Sequence, residues 1–296
     1  MNDMHILSFD IEEWFLEKYY KKNESWKFKE FEEMLERILY LLEDNSLKAT
    51  FFCLGGIAKD FPYIVRKIHS NGHEIGCHSF RHKLISKLTP EEFYKDTKES
   101  IYELENCIGE KIESYRAPAF SIDEKTKWAF EILAELGVKN DSSVFPSNRD
   151  FGGFKSFDFK SGPCKIKIAD TFIAEFPIGI TKIPLFNKNI GYSGGGYFRL
   201  LPLFFIKNKI KNNDYVMCYF HIADLLDIKR EMKSKKDYEE YFGEKSSFQK
   251  RYIRYLKANI GRKRSWNGLK EIVSDFDFIN IKEAALEDKR FPIITI

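Results

Sequence analysis

The residues with the clearest chemical potential are His78 and His82, in the run His78-Ser79-Phe80-Arg81-His82. Two histidines four apart fit one face of a helical turn, so their imidazoles can converge on one ion. Ser79 stands where a HExxH metalloprotease needs its glutamate base, which disfavours that class. A second candidate is Asp10-Ile11-Glu12-Glu13-Trp14. Side chains alternate along a strand, so Asp10 and Glu12 share a side and Glu13 points away. Two carboxylates on one side are costly unless a cation or a shared proton relieves them. Arg116, stiffened by Pro118, could orient a carboxylate. Asp141 and His221 complete the set, and a strand-end histidine beside a carboxylate suits a general acid.

The surrounding pattern must place these residues. His5–Ile11, Ala49–Leu54 and His73–Cys77 read as strands. Phe28–Glu43 and Ile57–Ser70 carry apolar residues at helical spacing. Thr89-Pro90-Glu91-Glu92 is a helix start with a capping box, and that helix should end at Gly109. A strand end at Arg116, a helix over Asp123–Leu136 and a strand ending at Asp141 continue the rhythm. Beyond Asp141, Phe151–Pro163 reads as a loop or hairpin. Thr171–Ile178, Asp214–His221 and Phe276–Ile281 read as strands, and Ser247–Asn259 as a basic helix. Gly191–Arg199 reads as a Gly-rich loop leading into a helix. Alternating strands and helices imply an α/β fold with a parallel sheet, open or closed into a barrel. Its active site belongs at the C-terminal ends of the strands, where the candidate residues fall.

Composition narrows the classes. The 296 residues are 43% hydrophobic and 16% aromatic, a folded composition. With 48 Lys and Arg against 45 Asp and Glu, the charge is +3, and no nucleic-acid partner is expected. The five cysteines are scattered without a CxxC pair, which argues against a disulfide framework or a Cys-rich zinc site. No basic-then-apolar leader opens the chain, and a cytoplasmic location is expected.

In their order, Asp-x-Glu, His-x-x-x-His, Arg-x-Pro, Asp and His resemble the polysaccharide deacetylase family, also called the NodB-homology or carbohydrate esterase family 4. The likeness is to a branch in which the Asp-x-Glu is followed by aromatics, here Glu13-Trp14-Phe15. It implies a distorted, incomplete (β/α) barrel with seven or so parallel strands. One domain would span 1–296, with an insertion around 150–212 and a basic helical segment around 245–265. The resemblance also implies removal of an N-acetyl group from an amino sugar, with Asp10 as base and His221 as acid. Arg116 would orient the base, Asp141 would tune the acid, and the backbone N–H near Ala119 would serve the oxyanion. Glu12, His78 and His82 would hold one divalent metal, zinc first, with cobalt, nickel or iron as alternatives. Tyr197, Arg199, Phe120 and Trp14 are the candidate substrate contacts, and an N-acetylated saccharide is the expected partner. The sequence departs from the common pattern in carrying Asp-x-Glu rather than two adjacent aspartates. Phe145 stands where a tryptophan is usual, and the last motif is Tyr-Phe-His.

Three other readings remain. They are a two-His-one-carboxylate iron oxygenase, a hydrolase of another non-peptide C–N bond, and an inactive carbohydrate-binding protein on the same fold. Lys250, Arg251, Arg254, Lys257, Arg262, Lys263 and Arg264 form a basic stretch interleaved with Tyr252, Ile253 and Tyr255. A solvated helix face is its ordinary meaning; peripheral contact with a membrane or a lipid-linked sugar is the other. Oligomeric state is not legible.

Overall fold

The computed structural model describes residues 3–20, 25–147, 152–157, 162–183, 188–242 and 244–296. Eleven strands are defined among them. They are β1 (Met4–Ile11), β2 (Thr50–Cys53), β3 (Glu74–Cys77), β4 (Ser114–Tyr115), β5 (Asn140–Asp141) and β6 (Cys164–Ile168). Then follow β7 (Thr171–Glu175), β8 (Ile180–Ile183), β9 (Lys188–Gly191), β10 (Tyr215–His221) and β11 (Ile293–Ile294). Nine of them form one sheet in the order β10-β1-β2-β3-β4-β5-β7-β6-β11. The run from β10 to β7 is parallel throughout, seven strands, whereas β6 lies antiparallel to β7. This is the α/β architecture expected, with the seven parallel strands side by side.

The strands follow from near-continuous apolar runs, as a sheet covered on both faces demands. In β1, Ile6, Leu7, Phe9 and Ile11 are fully buried, and Phe9 stacks on Phe51 of β2 at 4.9 Å. Helix Ser25–Asp44 covers one face with Phe31, Leu35, Ile38 and Leu42. Helix Pro90–Ile108 starts on the anticipated capping box. Thr89 Oγ1 accepts from Glu92 N at 3.2 Å, and Glu92 Oε2 accepts from Thr89 N at 2.8 Å. It ends at Gly109 (φ +76), a conformation glycine adopts without cost.

Several boundaries differ from the sequence reading. The single helix over Ile57–Ser70 is two, Gly55–Asp60 and Pro62–Ser70, because Pro62 lacks an N–H and pushes Phe61 out of helical geometry. The helix over Asp123–Leu136 shortens to Trp128–Glu135, since the Asp123 carboxylate captures the Lys125 and Thr126 N–H groups in a turn. The Gly-rich run is not a loop to its end, because a helix spans Gly195–Leu200. Its glycines serve close approach: a side chain at Gly194 would collide with the Tyr219 carbonyl of β10.

The anticipated strand Phe276–Ile281 is only a bridge, Ile6 to Ile279. Asn280 ends it by capping helix Ile281–Ala284, accepting from Glu283 N at 2.8 Å. The basic segment is two helices, Phe248–Asn259 and Arg262–Asp275, and the second buries Leu269, Ile272 and Val273. Within 150–212, β6 and β7 join the main sheet; residues 150–151, 158–161 and 184–187 of that span lie outside the described residues. Among the described residues, no helix is long and apolar enough to cross a membrane.

His73, just before β3, is a histidine built into the core. It is 3% exposed, its ring centroid lies 5.1 Å from that of Phe51, and its Nδ1 accepts from Ala49 N at 3.4 Å. Burial, with a smaller push from Lys48, lowers its pKa from 6.5 to about 4. The folded chain therefore resists a proton that the unfolded chain takes up below about pH 6.5. Stability is expected to fall as pH drops from about 6.5 towards 4, by up to about 3 kcal/mol from this residue. Thermal melts at about pH 7 and about pH 4.5 should show a smaller acid loss for His73→Gln than for the parent chain; equal losses would remove His73 as the cause.

Candidate active site

The sheet brings its carboxylates and histidines together at the C-terminal ends of neighbouring strands. Asp10, at the end of β1, stands in register with His221 of β10 and Phe52 of β2. Glu12 follows just past β1. His78 and Arg116 follow β3 and β4, where Arg116 N bonds to the Cys77 carbonyl at 2.9 Å.

His78 and His82 converge, but not on a helical turn. Residues 78–82 form an irregular loop in which Ser79 (φ +68) and His82 (φ +55) take left-handed conformations. The loop is held from outside. Gly55 N donates to Ser79 O, Ser100 Oγ donates to the same carbonyl, and Phe80 N donates to Asp96 Oδ2 at 2.8 Å. Curling the chain this way sets the two imidazole centroids 5.3 Å apart. The spacing of four was a true signal of convergence for the wrong geometric reason.

His78, Glu12 and His82 form a set whose ligand atoms lie within 4.8 Å of one another. His78 is 1% exposed, and its Nδ1 lies 2.8 Å from the Arg116 carbonyl. Because that oxygen can only accept, Nδ1 carries the proton and Nε2 keeps its lone pair towards Glu12. Glu12 Oε2 lies 2.6 Å from His82 Nε2 and 3.6 Å from His78 Nε2, yet it receives no aligned hydrogen bond. A buried carboxylate oxygen crowding two imidazole nitrogens without a proton directed at it fits a cation between them. Burial would raise the Glu12 pKa, but the charges of His82 and His221 and the close approach of the two imidazoles hold it well below the ordinary range. Two imidazoles and a carboxylate suit a divalent transition ion, with coordination left open for other ligands.

Asp10 and Arg116 form the second layer. Arg116 is fully buried, and its Nη1 donates to Asp10 Oδ1 at 2.8 Å. Its Nε donates to Ser142 O at 3.2 Å and its Nη2 to Ser142 Oγ at 3.0 Å, while the guanidinium lies 4.2 Å from the Phe52 ring centroid. The arginine is thus clamped on three sides, and Asp10 Oδ2 remains to face His221 Nε2 at 3.8 Å.

His221 is the most open member, its side chain 27% exposed. Its Nδ1 bonds to Asp224 Oδ2 at 2.9 Å, and its Nε2 sits 3.7 Å from Glu12 Oε1. Burial opposes its charge, but Glu12, Asp224 and Asp10 outweigh that and push its pKa up to about 10. Asp224 in turn is held far below the carboxylate range, against its burial, by His221 and Arg199.

Asp141 is bonded to Ser143 rather than to His221. It is fully buried, accepting from Ser143 N at 2.9 Å and Ser143 Oγ at 2.7 Å, and it stands in register with Glu175. Burial raises its pKa, and burial together with Asp141 raises that of Glu175 well above normal. Its link to the site runs through Ser143 Oγ, which accepts from Ala117 N at 2.8 Å and so steadies the segment after Arg116. Asp224 has the place expected for Asp141. The signal was available: an acid three residues after His221, at the start of helix Ile222–Leu225.

Three anticipated substrate contacts are also corrected. Trp14 is fully buried and packs edge-on against Phe31 at 5.5 Å, because helix Glu13–Tyr20 turns it into the core. Arg199 is 5% exposed and points inward, 3.4 Å from Asp224 and bonded to Ala258 O at 3.0 Å. Phe120 is buried against Tyr219 and Phe145. Tyr197 is half-buried on helix Gly195–Leu200. Ala119 and Phe120 both have φ +54, a sparsely populated region for non-glycine residues, at the turn beside Arg116. Glu13 is not among the three clustered ligands. It is buried nonetheless and accepts from Ala223 N at 2.8 Å, tying the helix start to the turn after His221. Burial and Glu12 raise its pKa to about 7.

Residues 7–140 match the model of the polysaccharide deacetylase family, and residues 142–286 match a domain of unknown function, DUF3473. Strands from both segments belong to the one sheet, since β1 pairs with β10. A peptidoglycan-N-acetylglucosamine deacetylase of Bacillus cereus is 34% identical over 100 residues, covering 33% of this chain and 36% of that protein. An uncharacterized protein of Bacillus subtilis, YlxY, is 34% identical over 103 residues, covering 35% of this chain and 31% of its own. The chain thus spans about a third of the length of these relatives. A crystal structure from Mycobacterium smegmatis, provisionally described as a polysaccharide deacetylase, aligns over 100% of this chain and 94% of its own. Its TM-score is 0.65 at 17% identity, a likeness of fold.

Proposed function

We propose that the chain, whose residues 7–140 match the polysaccharide deacetylase (NodB, carbohydrate esterase family 4) model, is a metal-dependent hydrolase removing the N-acetyl group from an amino sugar. One observation supports this reading above the others. The His221 Nε2 faces Asp10 at 3.8 Å and Glu12 at 3.7 Å, so an acid, a base and a cation-binding carboxylate meet at one point.

His78, His82 and Glu12 would hold the ion, zinc first among cobalt, nickel and iron. When bound, such an ion supplies Lewis-acid polarisation of the acyl carbonyl and of water. Asp10, its Oδ1 pinned by Arg116, takes the proton of the attacking water through Oδ2. The Ala119 N–H, held in a left-handed turn, donates to the developing oxyanion. His221, kept protonated beside Asp224, gives its proton to the departing amine, so that acetate and a free amino sugar result. Tyr197 is the remaining candidate for a sugar contact at the rim.

Acetate release from N-acetylated saccharides, both oligomers and lipid- or nucleotide-linked precursors, tests the reading. Zinc-loaded protein should release acetate from at least one class, and none from any class would contradict it. The reassigned partner of the acid has its own test. Asp224→Asn is expected to lower kcat roughly 10- to 100-fold, part of the 10²–10⁴ that a general acid contributes. Asp141→Asn, compared at matched stability, should lower it much less. The reverse order would restore Asp141 to the role Asp224 takes here.

A further inference from the structure

Helix Phe248–Asn259 is turned inside out. Phe248, Tyr252, Leu256 and Ile260 recur at one-turn spacing, with Ile253 on the adjoining row. All five face solvent, at 63%, 45%, 40%, 47% and 51% exposure respectively, and no residue of the helix is buried. The cations Arg251 and Arg254 point the other way. Arg251 Nη1 donates to Lys233 O at 3.3 Å, and Arg254 Nε donates to Tyr238 Oη at 2.9 Å. An ordinary surface helix buries its apolar stripe and shows its charges. A contiguous apolar face left outward marks an interaction surface.

The charge around this face is one-sided. From Lys245 to Lys270 the sequence holds nine Lys or Arg and no Asp or Glu. Lys250 and Lys257 flank the apolar arc. Lys229 and Arg230 line a cleft with Phe248, Tyr252 and Tyr255, and Lys229 lies over the Tyr255 ring at 5.9 Å. Nearby acids offset only part of this: Glu244 pairs with Lys250 at 3.2 Å and Arg254 at 3.6 Å, and Glu231 lies in the cleft.

We propose that this face docks the protein peripherally on an anionic lipid surface. The apolar arc enters the boundary between headgroups and acyl chains, and Lys229, Arg230, Lys250 and Lys257 meet the lipid phosphates. Self-association is disfavoured by charge, because a two-fold pairing would oppose two cationic faces. The helix is also tethered to the candidate active site. Ala258 O accepts from Arg199 at 3.0 Å and from Arg262 at 2.7 Å. Arg199 reaches Asp224 at 3.4 Å, and Arg262 bonds to Ala223 O at 2.6 Å. Lipid docking is independent of the reaction that the site performs.

Cosedimentation of the full chain with phosphatidylcholine vesicles, with and without phosphatidylglycerol, tests it. Binding should require phosphatidylglycerol and weaken with salt. The variant Phe248→Ser, Ile253→Ser, Leu256→Ser should bind at least about tenfold more weakly, having lost the apolar contact. The variant Lys229→Glu, Lys257→Glu keeps the apolar face and should lose the preference for phosphatidylglycerol. No binding to either vesicle, or binding by both variants equal to that of the parent chain, would overturn the proposal. So would a dimer of the parent chain that the triple-serine variant converts to monomer.

Discussion

Asp10→Asn is expected to lower kcat for acetate release by about 10²–10⁴-fold while leaving metal content unchanged. The expectation rests on geometry. Asparagine keeps the acceptor that meets Arg116 Nη1, so the fold around it should persist. It removes the charge at Oδ2, the oxygen facing His221. Asp10 is not one of the three clustered ligands, and the cation site keeps Glu12, His78 and His82. Steady-state rates with metal analysis on the same samples would check it. Parental turnover would show that Asp10 is not the base.

Arg116→Met should cost stability as well as activity. The guanidinium is fully buried, and its removal leaves the Asp10 carboxylate, 2% exposed, without its cation. Breaking a buried pair by deleting one partner typically costs about 3–5 kcal/mol. The Ser142 carbonyl and hydroxyl lose their donors as well. Urea denaturation should show a shift of that order, and the folded fraction should have little deacetylase activity because Asp10 is no longer oriented. A change under about 1 kcal/mol would mean that water or a rearranged neighbour replaces the arginine.

The sequence revealed the parallel sheet and the residues at its strand ends because both leave local marks. Buried strands are continuous apolar runs, and the helix at Pro90 announces itself through Thr89 and Glu92. Asp10, Glu12, His78, Arg116 and His221 sit next to such marks. What it concealed depends on tertiary direction. Trp14 follows an acidic strand end and looked like a pocket wall, yet the helix that begins at Glu13 rotates it into the core. Arg199 sits in a Gly-rich run and looked like a rim contact; only the fold shows it turned towards Asp224 and Ala258. Asp141 and Asp224 are each an acid near a strand end, and the one local mark that separates them is the three-residue spacing from His221 to Asp224. The inverted helix is legible as amphipathic from its spacing, but which stripe faces out is decided by the neighbours of Arg251 and Arg254.

The proposal that the site is a metal-dependent deacetylase centre is tested most directly by zinc titration into metal-stripped protein. Acetate release from N-acetylglucosamine oligomers is followed at each point, for the parent chain and for His78→Ala. Acetate release should be absent in the stripped protein and rise to a plateau near one zinc per chain. His78→Ala should neither bind zinc at that affinity nor regain activity. Undiminished acetate release from stripped protein, or full recovery in His78→Ala, would contradict a cation held by Glu12, His78 and His82.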